Sequence, residues 1–392
     1  MLRQSHDHHA GTRLNNTRDR QPGDPRSILM TVDAVGGVWR YAMDLGSSLR
    51  DAGMQVTFQG FGPPPDEEKR REARRIGDLL WADAPLDWTT LDESDLAVIP
   101  SLLRRVVEER RVDLVQLNVP SQAFGLELPV PVVAMAHSCV VTWFRAVRGL
   151  PPPPPMQWHE NRTRVGLRCA DAVVAPSSSH ADMVAAAYGA LDGLHVVHNA
   201  VHPLSVDHPK ESYVFAAGRW WDEGKNGAVL DAAAALAGPP VVMAGATRGP
   251  DGQYIDIRHA RALGEISNID ARRHLARAAI FASPSIYEPF GLTVLEAASA
   301  GAALVLADNP TYRELWDGCG LFCDPASPEE FAAAINSVAS DPVLRADLGR
   351  QALARSRAFT LSRQLKAMRQ VFAAAAASAV ARQRSSNKAM AS

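Results

Sequence analysis

The chain has 392 residues, long enough for two domains. Hydrophobic residues make up 46% and charged residues 21%, the balance of a soluble globular protein, and a formal net charge of −2 gives no electrostatic case for a nucleic-acid partner. No apolar run is long enough for a membrane-spanning helix, and a cytoplasmic protein is the expectation.

The start of the chain, Met1 to Arg26, is polar and lacks the apolar core of a secretory signal, so residues 1–26 are expected to form a disordered tail. His6, His8 and His9 in that tail fit a floppy segment better than a metal site. Ser27 to Asp33 reads as a first strand, Gly36-Gly37 breaks it, and Val38 to Ala52 reads as a helix. The bare backbone of Gly36 and Gly37 lets a substrate or phosphate lie close; a plain tight turn is the default for two glycines alone. The pattern is not G-x-G-x-x-G, so no dinucleotide cofactor is indicated. Met54 to Gly60 is a second strand, and a charged helix is expected from Asp66 to Leu80. A short basic helix over Ser101 to Arg111, strands Leu114 to Asn118 and Val130 to His137, and a stiff polyproline loop, Pro151 to Pro155, follow. Next come a helix over Gln157 to Arg168 and strands at Ala172 to Pro176 and His195 to His198. His137 ends its strand, where open α/β sheets face their ligands; a capped strand-end histidine is the competing reading.

Ser205 to Ser212 reads as a linker. Beyond it the alternation resumes with strands at Tyr213 to Ala217, Val241 to Gly245, Ala262 to Gly264 and Ala279 to Ala282 and a helix over Ala228 to Ala237. Between the first of these strands and that helix lies Gly218-Arg219-Trp220-Trp221-Asp222-Glu223-Gly224-Lys225-Asn226. Arg219 offers a planar fork and Lys225 a point charge, a pairing that suits a diphosphate. Further on, Glu288 and Glu296 lie eight residues apart around Pro289-Phe290-Gly291, with a helix expected from Thr293 to Ala300. The free N–H groups of a helix start at Gly291, Leu292 and Thr293 suit a phosphate, while the two acceptor-only carboxylates suit hydroxyls, such as those of a sugar and a ribose. The segment reads as a nucleotide-sugar site. A late helix is expected over Glu329 to Ala339, then an Ala-rich helix from Leu361 with a frayed tail past Arg382. Cys139, Cys169, Cys319 and Cys323 form no C-x-x-C pair and read as reduced thiols.

Glu288 to Glu296 resembles the E-x7-E motif of the retaining glycosyltransferases of family 4, which have the GT-B fold: two Rossmann-like α/β domains facing across a cleft. The Gly218-Arg219…Lys225 element resembles the family's diphosphate clamp, and Gly36-Gly37-Val38 its N-terminal glycine loop. The resemblance implies an N-terminal acceptor domain over residues 27–204, a nucleotide-sugar domain over 205–360, and a last helix within 361–392 that crosses back onto the first domain. It implies Arg219, Lys225, Glu288 and His137 at the chemistry, and Gly36, Gly37, Gly291, Leu292, Thr293, Glu296 and Asn199 at the donor. His198-Asn199-Ala200-Val201-His202 departs from the family's Pro-Asn-Gly-Val-Asp at His198, Ala200 and His202 and keeps Asn199, and the glycine-rich turn of the second domain is reduced to Gly245-Ala246-Thr247-Arg248.

The implied activity moves a sugar from a UDP- or GDP-sugar to an unknown sugar, lipid or small-molecule acceptor, with retention and with neither cofactor nor metal. Some family members meet anionic lipid through a basic N-terminal domain. Lys69, Arg70, Arg71, Arg74, Arg75, Arg104, Arg105, Arg110 and Arg111 leave that peripheral position at the inner membrane face open, although interleaved glutamates favour a solvated surface. Trp143, Phe144, Arg145 and Arg148 are candidates for the acceptor cleft or for aromatic core. A GT-B epimerase or phosphorylase, and a silent sugar-nucleotide-binding protein, are the other classes; the intact Arg219, Lys225, Glu288 and Glu296 argue against silence.

Overall fold

The computed structural model describes residues 21–206, 208–250 and 252–390. The histidine-bearing tail through residue 20 lies outside them. Residues 21–26 do not continue a disordered tail: Asp24 pairs with Arg369 at 3.0 Å, and Asp113 accepts from the amides of Arg26 and Ser27 at 2.7 and 3.0 Å.

Apolar runs alternate with amphipathic segments throughout, and the central runs become buried parallel strands, while the edge strands stay partly exposed. The first unit runs β1 (Ser27–Val32), α1 (Gly37–Asp51), β2 (Gln55–Gly60), α2 (Glu67–Ile76), β3 (Asp78–Trp81), α3 (Ile99–Arg110), β4 (Leu114–Leu117), β5 (Val132–Met135), α4 (Val140–Arg148), α5 (Trp158–Cys169), β6 (Ala172–Ala175), α6 (Ser178–Tyr188) and β7 (Leu194–Val196). The second runs β8 (Glu211–Ala217), α7 (Gly227–Ala234), β9 (Val241–Ala244), β10 (Arg261–Gly264), α8 (Asn268–Arg277), β11 (Ala278–Ser283), α9 (Leu292–Ser299), β12 (Ala303–Ala307), α10 (Pro310–Trp316), β13 (Gly320–Cys323), α11 (Pro328–Ser340), α12 (Pro342–Ser356) and α13 (Leu361–Met390).

Among the described residues the strands form two parallel sheets, ordered β3-β2-β1-β4-β5-β6-β7 and β10-β9-β8-β11-β12-β13. In each, the order reverses at one place, between β1 and β4 in the first sheet and between β8 and β11 in the second. Ligands of open α/β sheets bind at such a switch point, beyond the carboxyl ends of the strands.

The helix expected over residues 66–80 is shorter. Asp66 caps α2 by accepting from the Lys69 amide at 2.8 Å, and the helix ends at Gly77. A Cβ on Gly77 would lie 2.0 Å from the Val56 carbonyl oxygen, so glycine alone lets the chain pass this close and continue as the edge strand β3. Only Pro154–Met156 of the proline run and its sequel forms a 3-10 turn. The last helix does not fray beyond Arg382 but continues to Met390. Its Met368, Val371, Phe372 and Ala375 pack with Val133, Met135, Ala172 and Val174 of the first sheet. At about 1.5–3 kcal/mol for each large apolar side chain buried, this contact fixes the end of the chain on the first unit.

Candidate active site

The two switch points face each other. Beyond β1 lie Asp33 and the Gly36-Gly37 loop; beyond β8 lies Arg219; beyond β11 lies Glu288. A Cβ placed on Gly36 would stand 3.4 Å from Nη1 of Arg219, and one on Gly37 would stand 3.6 Å from Leu292. The glycine loop of the first unit thus borders the cation and the helix start of the second.

Gly218 can reach this place because Gly245, after β9, has φ +124 and passes so close that a Cβ would lie 1.9 Å from the Gly218 carbonyl oxygen. Arg219 lies over the Trp221 ring at 5.4 Å and approaches Asp222 at 3.5 Å. Lys225 Nζ binds Glu288 Oε2 at 2.6 Å, so the two residues read from separate segments form one ion pair. Asp222 is a junction that local sequence did not reveal. Its Oδ1 accepts from the Gly224 amide at 2.9 Å and from the Trp143 indole of the first unit at 2.9 Å.

Gly291 has φ +88 and opens α9, whose start carries no side-chain cap. The first amides of α9 are therefore open to an anion. Val294 and Tyr312 close in behind Gly291, where a Cβ would come within 3.3 and 3.0 Å of them. Tyr312 in turn bonds Ser283 at 2.6 Å, which anchors the loop to the end of β11.

Glu296, one turn into α9, is 7% exposed. Arg272 of α8 approaches it at 3.4 Å and also donates to the His202 carbonyl at 3.3 Å. Burial pushes the Glu296 carboxyl up to about 7 despite Arg272, and Asp44 of α1 adds to the rise while Arg40 opposes it. His137 keeps some surface, but its Nε2 lies 3.2 Å from Asn118 Oδ1 and its ring stands edge-on to Tyr41 at 4.4 Å. Burial, helped by nearby His180, lowers its pKa to about 3, so the imidazole is neutral and Nε2–H donates to Asn118. Asn199 is buried in the crossing between the units, with its Oδ1 unpartnered.

Several bonds tie the units together around these residues. Thr142 meets the Tyr287 hydroxyl at 2.8 Å, and Ser177 Oγ donates to the Pro289 carbonyl at 2.8 Å. Glu314 of α10 caps α6, accepting from the Ser178 and Ser179 amides at 2.9 and 2.6 Å. Arg148 pairs with Glu223 at 2.6 Å. Of the four residues after His137 considered for an acceptor cleft, Trp143 and Arg148 are thus staples between units, Arg145 donates to the Ala186 carbonyl, and Phe144 is buried. The basic residues of α2 and α3 are largely exposed, and Arg110 pairs with Asp78 at 2.7 Å. No helix among the described residues is long and apolar enough to cross a membrane.

Residues 35–203 match the profile of Glycosyltransferase Family 4, and residues 255–355 that of Glycosyl transferases group 1. The chain belongs to the family 4, group 1 glycosyltransferases. Among solved structures, this glycosyltransferase shares its fold with a sucrose-phosphate synthase from Thermosynechococcus elongatus, at TM-score 0.73 and 16% identity, covering 88% of this chain and 98% of that one. The Anabaena protein HepE, in complex with UDP and glucose, is similar at TM-score 0.68 and 18% identity over 87% and 97%. These likenesses establish the GT-B fold. A glycogen synthase of Mycobacterium tuberculosis is 37% identical over 102 residues, and this glycosyltransferase spans only 25% of that enzyme's length in the match.

Proposed function

We propose that the protein is a retaining glycosyltransferase that moves a sugar from a UDP- or GDP-sugar to a hydroxyl acceptor, without cofactor or metal. The observation that carries this reading is the meeting of Arg219, Lys225 and the uncapped start of α9 at the facing switch points, with Glu288 and Glu296 on either side of that helix start. Two cations and helix amides suit a diphosphate, and carboxylates beside it suit sugar and ribose hydroxyls. The HepE structures with UDP and UDP-glucose support the same kind of ligand.

In this reading the bond from the sugar C1 to the diphosphate breaks, and the acceptor oxygen bonds C1 on the same face. The acceptor proton passes to the departing phosphate oxygen, and nucleoside diphosphate leaves. Arg219, Lys225 and the amides of Leu292 and Thr293 hold the charge that develops on the leaving group, which is where preorganised donors lower a barrier. Glu288 would orient the sugar, Glu296 the ribose, and neutral His137 would present a hydrogen bond rather than a proton. Gly36 and Gly37 leave room beside the diphosphate, and Asn199 lines the donor side of the crossing. Location in the cytoplasm, with the basic helices solvated or resting on anionic lipid, belongs to the same proposal.

The test is to supply UDP- and GDP-sugars with a panel of hydroxyl acceptors and to read the anomeric configuration of any product by NMR. A product with the donor's configuration is expected. Inverted product, or isomerised donor with no transfer, would reject the reading.

A further inference from the structure

Between Arg219 and Lys225, three residues from each, stands Asp222, and its side chain is only 12% exposed. The Asp222 amide donates to the Arg219 carbonyl at 3.0 Å, and the Lys225 amide donates to the Asp222 carbonyl at 2.9 Å. Asp222 is thus the centre of the loop that carries both cations. Its carboxylate also caps the 3-10 turn Glu223–Lys225, with Oδ1 accepting from the Gly224 amide at 2.9 Å. The Gly224 carbonyl accepts in turn from the amides of Ile286 and Tyr287 at 2.9 and 3.3 Å. The turn is therefore joined to the segment that leads into Glu288, the partner of Lys225.

The two oxygens of Asp222 have different partners. Oδ1 holds two N–H groups, that of Gly224 and the Trp143 indole of α4, each at 2.9 Å. Oδ2 faces Nη2 of Arg219 at 3.5 Å, well beyond the roughly 2.7–2.9 Å of a fully formed charge-assisted bond. The carboxylate therefore steers the guanidinium without using up its donors, and Arg219 stays open to an anion. The indole that shares Oδ1 comes from the other unit, and the contact is built closely. A Cβ on Gly224 would stand 2.9 Å from the indole nitrogen and 3.3 Å from Val147, so glycine is what lets α4 seat here. Phe144 meets the Trp143 ring edge-on at 5.1 Å, and the Arg148 guanidinium lies 5.3 Å from its centre, which fixes the ring.

We infer that Asp222 is a positioning residue for Arg219, and that Trp143 makes its position depend on contact between the two units. This rests on the donor site assigned under the proposed function. With α4 seated, two N–H groups hold the carboxylate in place and Arg219 points to the diphosphate. With α4 withdrawn, Asp222 turns onto Arg219 and takes up the cation that the leaving group needs. Lys225 and the first amides of α9 can still bind a nucleoside diphosphate in that state. Charge developing on the departing phosphate is then met in full only when the units are in contact, so bond breaking is tied to closure.

Turnover is read on the full chain as release of nucleoside diphosphate from a UDP- or GDP-sugar, with water as acceptor where no better one is found. Calorimetry with UDP and GDP reads binding. Trp143→Phe keeps an aromatic ring and removes the indole donor. It should lower kcat at least tenfold, with KM and nucleotide affinity within threefold of wild type. Asp222→Ala should lower kcat at least as far. The double variant should be no slower than Asp222→Ala, because the indole acts through the carboxylate alone. Arg148→Ala removes an exposed contact of the same helix, to Glu223, and should leave kcat within twofold. Unchanged kcat in Trp143→Phe, losses that multiply in the double variant, or an equal loss in Arg148→Ala would overturn the positioning role. A wild type that binds neither nucleotide would overturn the donor reading, and this role with it.

Discussion

Glu296→Gln is expected to make the protein more stable in alkali and less able to hold its nucleotide. The folded carboxyl titrates at about 7 against an ordinary value of 4.5, because burial outweighs Arg272. Between those values the folded state keeps a proton that the unfolded state has lost, so stability falls as pH rises from about 4.5 to about 7 and is level above. A shift of this size corresponds to about 3 kcal/mol of penalty on the ionised form. Glutamine has the shape of the protonated acid and carries no such penalty. The variant should match the wild type at pH 5 and exceed it by about 2–3 kcal/mol at pH 8.5, a rise in Tm of roughly 2–4 °C for a chain of this length. The assay is thermal unfolding of both proteins across that range. A difference in Tm that does not change with pH would refute the reasoning. Binding runs the other way. Ribose hydroxyls need the carboxylate, so wild-type affinity for nucleoside diphosphate should weaken below pH 7 by up to about tenfold per unit, and the variant should bind weakly throughout.

Arg219→Ala should remove about 2–4 kcal/mol of transition-state stabilisation, read as kcat/KM with a nucleotide sugar; unchanged turnover would exclude Arg219 from the clamp. Glu288→Gln should lower kcat and blur sugar choice while Glu296→Gln mainly weakens free nucleoside diphosphate, and calorimetry showing equal losses would reverse that division of roles. Activity should survive EDTA; loss on chelation with recovery on adding Mg²⁺ or Mn²⁺ would contradict the cationic clamp as the sole charge partner of the diphosphate. Gly245→Ala places a methyl against the Gly218 carbonyl at φ +124 and should cost at least about 1–3 kcal/mol in the second unit's denaturant stability, whereas a neutral result would show that the β9 turn relaxes freely.

What sequence made legible was what is contiguous. Glu288 to Glu296 and Gly218 to Lys225 each lie within one strand-turn-helix passage, so order and chemistry could be read along the chain. The Lys225–Glu288 pair and the Glu296–Arg272 pair join residues 63 and 24 positions apart, and no local pattern marks them. Asp222 takes its indole partner from α4, 79 positions away, which no local pattern marks. The same holds for Glu314, whose partners on α6 are 135 and 136 residues away. Strands β1, β8 and β11 stood out as apolar runs, but β3, a four-residue edge strand beginning at Asp78, was absorbed into the charged helix before it. There the deciding contact was a glycine against the Val56 backbone, a tertiary fact.

The chain passes between its two units twice, near Val201 and near Phe359, and the two passages lie side by side around a cavity of about 530 Å³ lined by Val201, Leu204, Leu295, Phe359 and Leu361. His198 stands edge-on to Phe359 at 5.3 Å. A body joined at one point can swing and twist freely; one joined at two neighbouring points turns about the line through them, as a door turns on its pins. Opening would then be a single rotation whose sweep grows with distance from Phe359, so that both halves of the site part and return along one arc, in register.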